Sequence, residues 1–528
     1  MNRKRLPIGI QTFREIREEG HYYVDKTSFA LSMLAQGKYF VLSRPRRFGK
    51  SLFLDTLKEL FEGNAGLFTG LYAETRWDWS LSYPVLRFSF GGGVLGSMND
   101  LQQSLHEQMT HHESHFKLPA AFPDIRSRFK SLIREVCANT GQRVVILIDE
   151  YDKPILDRIE QPEIARELRE GLKDFYSVIK DSDAHVRFAF LTGVSKFSKV
   201  SLFSGLNNLQ DITVDPRYSA ICGYTDADVD SIFAPELEGL DREEIRRWYN
   251  GYNWTGESVY NPFDLLLLFD RREFKSYWFE TGTPTFLLKL LAERHAWLPE
   301  LAQLKTEAEI LSTFDVDNIP IEALMFQAGY LTIDVEEHVF GEYRYRLRYP
   351  NQEVYQSLNN SLLRTWSPET RMVFANKSRL GDILLANDIP ALQTLITAFF
   401  SSIPHDWYRN NPIAQYEGYY ASVFYAYFAS LGLDLTVEDS SNQGRLGMAL
   451  KFNGHVYLFD FKVVELVPEG VSEGVSKVVS KGRALQQIKD RGYADKYRAL
   501  GHPIHLIGVE FSKDSRAVVG FEVETLEA

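Results

Sequence analysis

Apolar residues along the first 235 positions fall into short continuous runs separated by stretches of mixed polarity. The runs at 38–43 (KYFVLS), 83–90 (YPVLRFSF), 143–149 (RVVILID) and 187–193 (RFAFLTG) predict strands. Helical patterns lie between them, as in SLFLDTLKELFEG from Ser51 to Gly63. Continuous apolar strands separated by helices predict a mostly parallel sheet covered on both faces, an α/β architecture.

The pattern then changes. Residues 236–300 read as a helical lid, broken at Tyr249-Asn250-Gly251-Tyr252 and at Tyr260-Asn261-Pro262. In 301–365 helical pieces flank the alternating EYRYRLRY (Glu342 to Tyr349), a pattern that fits a small winged-helix-like domain. A helical connector occupies 366–405. From 406 to 528 a second α/β unit follows: the helix EGYYASVFYAYFASLG, strands at 433–438, 445–451 and 455–463, and a basic helix at about 477–491. Its last strand starts at His502, and the duplicated EGVS between Glu469 and Lys477 reads as a low-complexity loop insertion.

Composition adds limits. At 528 residues the chain exceeds one hydrophobic core. Its two cysteines, Cys137 and Cys222, exclude a disulfide framework and a cysteine-rich zinc site. No apolar run suggests a membrane span and the first residues lack a signal-peptide pattern, so a cytoplasmic protein with no membrane partner is expected. With a net charge of −12, contact with nucleic acid requires a local basic surface. His106, His111, His112 and His115 read as an exposed polar face rather than a metal site.

Chemistry enters at RPRRFGKS, which follows the first strand and opens a helix. A phosphate loop needs backbone N–H groups around the phosphates, a lysine on their oxygens and a hydroxyl for Mg²⁺. Gly49, Lys50 and Ser51 supply the G-K-S; Arg44 stands at the first glycine position, and Pro45, Arg46, Arg47 and Phe48 complete the loop. The strand VVILIDEYD places Asp149 and Glu150 at its C-terminal end, where open α/β sheets bind ligands. Asp149 is expected to hold Mg²⁺ and Glu150 to polarise the attacking water, with ATP as substrate. Thr192 or Ser195 on the next strand would sense the γ-phosphate, although a strand-end hydroxyl is more often a helix cap.

The set LPIGI, YYVDKT (Tyr22 to Thr27), RPRRFGKS, LIDEYDKP and LTGVSKFS, continued in YNGYNW and VYNPFDLL, resembles bacterial AAA-ATPase-like proteins ending in a PD-(D/E)XK nuclease-superfamily domain. The resemblance covers nearly the whole chain. It implies that Arg44 is a family trait and that Tyr23 and Asp25 lie near the nucleotide base. It further implies an architecture similar to the STAND signalling ATPases, in which nucleotide state gates an effector. The fold class expected is therefore a P-loop NTPase parallel sheet at 1–235, the lid and winged-helix-like segment, and a restriction-endonuclease-like domain at 406–528. Such a protein allows a homo-oligomer, and Arg46 and Arg47 become arginine-finger candidates if they face a neighbour.

Nucleases of that superfamily hold Mg²⁺ with an Asp on one strand and Asp/Glu-x-Lys on the next. Asn453-Gly454 is a two-residue hairpin signal. It pairs Phe452 with His455 and puts Asp460 opposite position 447, with Lys462 on the face of Asp460. Position 447 is Gly447, so the first metal-binding carboxylate is absent while Asp460 and Lys462 match. Glu417 resembles the superfamily's helical acid, and Gln487 the glutamine that supports metal or phosphate. Lys477, Lys481, Arg483, Lys489, Arg491, Lys496 and Arg498, against Asp490 and Asp495, suit a DNA or RNA backbone, though a charge run is usually a solvated helix face. Glu438 or Asp439 could replace the lost ligand. Two functions stand side by side: an ATP-gated effector acting on nucleic acid, and a nucleotide-switched binding or signalling protein whose nuclease-like domain is degenerate.

Overall fold

The four N-terminal apolar runs form β1 (Tyr39–Ser43), β2 (Val85–Ser89), β3 (Val144–Asp149) and β4 (Val186–Gly193). This computed structural model describes residues 3–119, 122–196, 202–281, 285–293, 298–312, 316–366, 370–401, 417–441, 445–464, 483–512 and 517–527. The duplicated EGVS, Lys477 and Lys481 lie outside them. All pairings are parallel in the order β2-β3-β4-β1, with a two-residue β5 (Gln210–Asp211) beside β1. Every residue of β1 and β3 is buried, which explains why these strands carry no polar alternation.

Helices follow from local signals. Helix Ile125–Thr140 starts where the Asp124 carboxylate accepts from the Ser127 N–H and stops at Gly141, whose φ of 67° ends the helical path. It packs with Met98–His115 and Pro162–Asp181, while Lys50–Phe61 packs on β3 and β4. Helices Asp226–Ile232, Arg242–Tyr249 and Pro262–Arg271 close around Tyr22 and Val24, with Phe233, Ile245 and Leu268 fully buried. Each such side chain contributes about 1.5–3 kcal/mol relative to exposure.

Strands β6 (Lys305–Glu307), β7 (Thr332–Val339) and β8 (Glu342–Arg348) form an antiparallel sheet in the order β6-β8-β7, accompanied by helix Ile321–Ala328. Alternation in EYRYRLRY puts Tyr345 and Leu347 inside, while Arg346 and Arg348 pair with Asp334. The chain forms two compact units, Met1–Thr283 with Leu304–Asn351, and Pro284–Gln303 with Gln352–Ala528. The five segments expected from the sequence do not nest within these units: the one at 236–300 crosses a change of unit after Thr283, and the one at 301–365 crosses after Gln303 and again after Asn351.

The second unit has the helices Gln352–Trp366, Thr370–Ala386, Ile389–Ser401 and Glu417–Ala429 and a five-stranded sheet. The strands are β9 (Leu435–Ser441), β10 (Arg445–Phe452), β11 (His455–Val464), β12 (Ile504–Ser512) and β13 (Val518–Leu526), in the order β13-β12-β11-β10-β9. Only β11 and β12 are parallel. Asn453 and Gly454 both take positive φ, 48° and 76°, as a tight hairpin turn requires. The register runs from Phe452↔His455 to Gly447↔Asp460, as the sequence predicted. Strand β13 was not anticipated.

Phe459 and Phe461 pack against Phe424 of helix Glu417–Ala429, and Leu458 and Leu506 face Ile488 and Tyr497 on the opposite side. Helix Arg483–Asp490 can lie on β12 because residue 508 is glycine: a Cβ there would stand 2.4 Å from the Leu485 nitrogen. Gly508→Ala is therefore expected to destabilise by about 1–3 kcal/mol, read as a lower denaturant midpoint. Gly381→Ala, inside helix Thr370–Ala386 with nothing within 4 Å, is expected to raise the midpoint, by about 0.5–1 kcal/mol in stability.

Candidate functional site

Strand β1 delivers the chain into the loop 44–49, and helix Lys50–Phe61 leaves it. Gly49, with φ of 88°, stands at the helix N-cap, and Arg47 adopts φ of 67°. Arg44 is not among the residues of positive φ, so this loop needs no glycine at its first position.

Beside the loop lies a cleft of about 480 Å³, within the range of ligand sites. Of the residues predicted to bind nucleotide, Tyr23, Arg46, Arg47, Phe48, Gly49, Lys50 and Ser51 line it, as does Glu150. Arg46 and Arg47 are exposed there, and the Arg47 guanidinium lies 5.1 Å from the Phe263 ring centre. Tyr23 reaches Thr56 of the loop helix at 3.3 Å. Burial raises its phenol well above the ordinary range.

Other predicted residues are placed differently. Arg44 is 1% exposed and donates to the carbonyls of Ser43, Thr213 and Tyr218 at 2.7–2.9 Å, with its guanidinium 3.9 Å from the Trp254 ring centre. Burial lowers it to about 10. Its side chain braces the loop from behind and does not line the cleft. Pro45 also lies off the cleft wall; its ring sits 2.8 Å from where a Cβ of Gly329 would stand. Asp25 accepts from the N–H groups of Thr27 and Tyr72 and from the Thr27 hydroxyl, so it holds its own turn and ties it to the segment at Tyr72, and it does not line the cleft. Thr192 is fully buried and donates to the Leu42 carbonyl. The Ser195 N–H donates to Asp152, and its carbonyl accepts from the Ser43 and Tyr151 hydroxyls. Neither Thr192 nor Ser195 lines the cleft: the Thr192 hydroxyl is used between strands, and the Ser195 backbone is held by Asp152, Ser43 and Tyr151.

Lys50 donates to the Arg44 and Pro45 carbonyls, both at 2.9 Å. Burial lowers its pKa, partly offset by Cys222, Asp149, Asp152 and Glu150 around it. Asp149 ends β3 almost fully buried; its Oδ1 has no hydrogen-bond partner among the described residues, and its Oδ2 stands 3.9 Å from Arg87. Glu150 has φ of 54°, a strained conformation for a residue with a Cβ, and its carboxylate lies 3.3 Å from the Cβ position of Gly91. Asp149 does not itself line the cleft, but its orphaned buried oxygen and the Ser51 hydroxyl group are oxygen donors of the kind that Mg²⁺ takes.

The sequence reading missed Asp152. It lines the cleft, accepts from the Val194 and Ser195 N–H groups, and is the reason Gly193 cannot carry a Cβ, which would stand 2.3 Å from its Oδ1. Its place in LIDEYD, three residues past Asp149, was the only signal.

In the C-terminal sheet Gly447 pairs with Asp460 on one side and Asp439 on the other, with a register shift beyond Gly447 that leaves Glu438 unpaired. The side chains of Glu417, Glu438 and Asp439 lie outside the described residues. Asp460 is fully buried and accepts from the Gln487 amide at 3.4 Å, while Lys462 is half-buried two positions on. Part of the basic stretch is neutralised: Lys489 pairs with Glu524, and Arg498 with Asp495. Among the described residues no three acidic, histidine or cysteine side chains gather to hold a metal. The four histidines prove to belong to one helix. They do not form a uniformly exposed face, since His112 is buried against the Arg87 carbonyl and His106 meets Arg128.

A parallel sheet with a phosphate loop and strand-end acids defines a P-loop-type nucleotide protein, here joined to a mixed-sheet unit of nuclease type. Residues 7–203 match the predicted AAA-ATPase family, and residues 415–521 match the PD-(D/E)XK nuclease superfamily. A protein of Azotobacter chroococcum mcd 1, described as an uncharacterized protein in the vnfD 5′ region, is 64% identical over 527 residues and is matched over 100% of both chains. The chain belongs to this family of AAA-ATPase-like proteins with a PD-(D/E)XK nuclease-superfamily domain. No helix among the described residues is long and apolar enough to cross a membrane.

Burial raises the Asp152 pKa to about 6, against about 3.9 for an unfolded aspartate. The native state then holds this proton more tightly than the unfolded chain, so the group's contribution to stability falls as pH rises from about 4 through 6. The loss is roughly 3 kcal/mol at most. Asp152→Asn is expected to flatten the pH dependence of the denaturant midpoint over that window.

Proposed function

We propose that the chain binds and hydrolyses ATP at the phosphate loop and that its nucleotide state governs the nuclease-type domain, which acts on DNA or RNA. The observation that carries the first half is the meeting of Lys50 and Ser51 on the cleft wall with Glu150, beside the buried, unpartnered oxygen of Asp149. Lys50 is the phosphate-binding cation, and the Gly49–Ser51 backbone supplies N–H groups at a helix N-terminus. Ser51 and Asp149 would hold Mg²⁺, which when bound neutralises phosphate charge. Glu150, held out at the strand end, orients the attacking water. Arg46 and Arg47 add positive charge at the cleft mouth.

A second reading has its own support. Gly447 stands at the register position where a metal-binding carboxylate would face Asp460, which favours a domain that holds nucleic acid or a partner without cutting.

Lys50→Ala is expected to weaken ATP binding by roughly 10- to 100-fold, measured by equilibrium titration; undiminished binding removes the reading. Glu150→Gln is expected to keep binding while turnover falls about 10²- to 10³-fold. For the effector, plasmid and single-stranded substrates are incubated with Mg²⁺ or Mn²⁺, with and without ATP. ATP-dependent cleavage that disappears in Asp460→Ala upholds the first reading. No cleavage by the native chain, with cleavage gained in Gly447→Asp, transfers the case to the second.

A further inference from the structure

We infer that the C-terminal sheet binds a divalent cation between Asp460 of β11 and Glu510 of β12, instead of between β10 and β11, where Gly447 offers no carboxylate. This rests on reading the domain as nuclease type. The parallel register pairs Asp460 with Gly508 and Lys462 with Glu510, so Asp460, Lys462 and Glu510 share one face. Strands about 4.8 Å apart, rising about 3.3 Å per residue, set the two acidic Cα atoms roughly 8 Å apart. An aspartate and the longer glutamate can converge across that span on an ion taking ligands at about 2.0–2.1 Å.

Glu510 supplies the second observation. It is 2% exposed, and its Oε1 accepts from the Ala484 N–H at 3.1 Å. Its Oε2 is buried with no hydrogen-bond partner among the described residues. Capping helix Arg483–Asp490 uses one oxygen; a capping role gives no reason to bury the other. A buried carboxylate oxygen is costly until a cation or donor meets it. The same helix reaches the other acid, since Gln487 donates to Asp460. One element therefore positions both carboxylates. Two protein carboxylates with water completing the shell suit Mg²⁺ or Mn²⁺.

The test is Mn²⁺ binding by electron paramagnetic resonance on the full chain without nucleotide, carrying Asp149→Asn to silence the phosphate-loop side. Glu510→Gln and Asp460→Asn are each expected to weaken Mn²⁺ binding by at least about tenfold, while Asp439→Asn stays within about twofold. Gln keeps an acceptor for Ala484, so the helix remains capped. If that variant melts early, Glu510→Asp tests the shortened reach and is expected to weaken binding too. Mn²⁺ affinity unchanged in the Glu510 variants, no binding by the parent, or a loss confined to Asp439→Asn overturns the inference. A chain that binds Mn²⁺ through Glu510 but handles nucleic acid identically with and without ATP keeps the inference and loses the functional reading. ATP-governed handling with Mn²⁺ affinity indifferent to Glu510 does the reverse.

Discussion

The nucleotide half depends on a buried charge. Placing the Arg44 guanidinium at 1% exposure costs several kcal/mol, and no carboxylate within 4 Å offsets it among the described residues. Three backbone carbonyls and the Trp254 face do so instead, in a planar fork that lysine could not reproduce. The carbonyls belong to the end of β1 and to the segment 213–218, so one side chain fixes the start of the phosphate loop against two parts of the fold. The position usually reserved for glycine is thereby occupied by a brace. The sharp backbone turns move to Arg47 and Gly49.

A second constraint follows from burying both faces of the parallel sheet. Side chains along β1 and β3 have no access to solvent, so ligand chemistry is confined to the strand ends. Asp149 and Glu150 sit there for that reason, and apolar runs followed by acids are legible in a sequence. Which polar group faces the cleft is not legible. Thr192 and Ser195 stand at or just past a strand end as expected, yet the Thr192 hydroxyl goes to β1 and the Ser195 N–H to Asp152, and neither residue lines the cleft. Asp25 is likewise spent, one oxygen on Thr27 in its own turn and the other on the distant Tyr72 N–H. Asp152 became visible only through its contact with Val194 and Ser195, more than forty positions away in the chain.

The C-terminal sheet divides in the same way. Asn453-Gly454 sets the hairpin, the hairpin sets the register, and the register sets Gly447 against Asp460; each step is local. Strand β12 reaches β11 only after a long crossover, so no spacing rule pairs Lys462 with Glu510. The bulge that aligns Asp439 with Gly447 is equally a product of pairing. Local turns can be read from sequence, whereas carboxylates brought together across a crossover need the fold.

The loop's resting bonds also shape what nucleotide binding must do. Lys50 spends its ammonium on the Arg44 and Pro45 carbonyls, so a phosphate has to compete with two good acceptors. Those carbonyls belong to a stretch already clamped: the Trp278 indole donates to the Arg46 carbonyl at 3.0 Å, and Gly329 lies against the Pro45 ring. Burial lowers the Lys50 pKa against the opposing pull of Cys222, Asp149, Asp152 and Glu150, and a bound polyanion would work in the same direction as those groups. A rigid cradle holding a buried cation favours phosphate over a neutral ligand. The preference for an anion proposed for the cleft therefore begins with the bracing of Arg44.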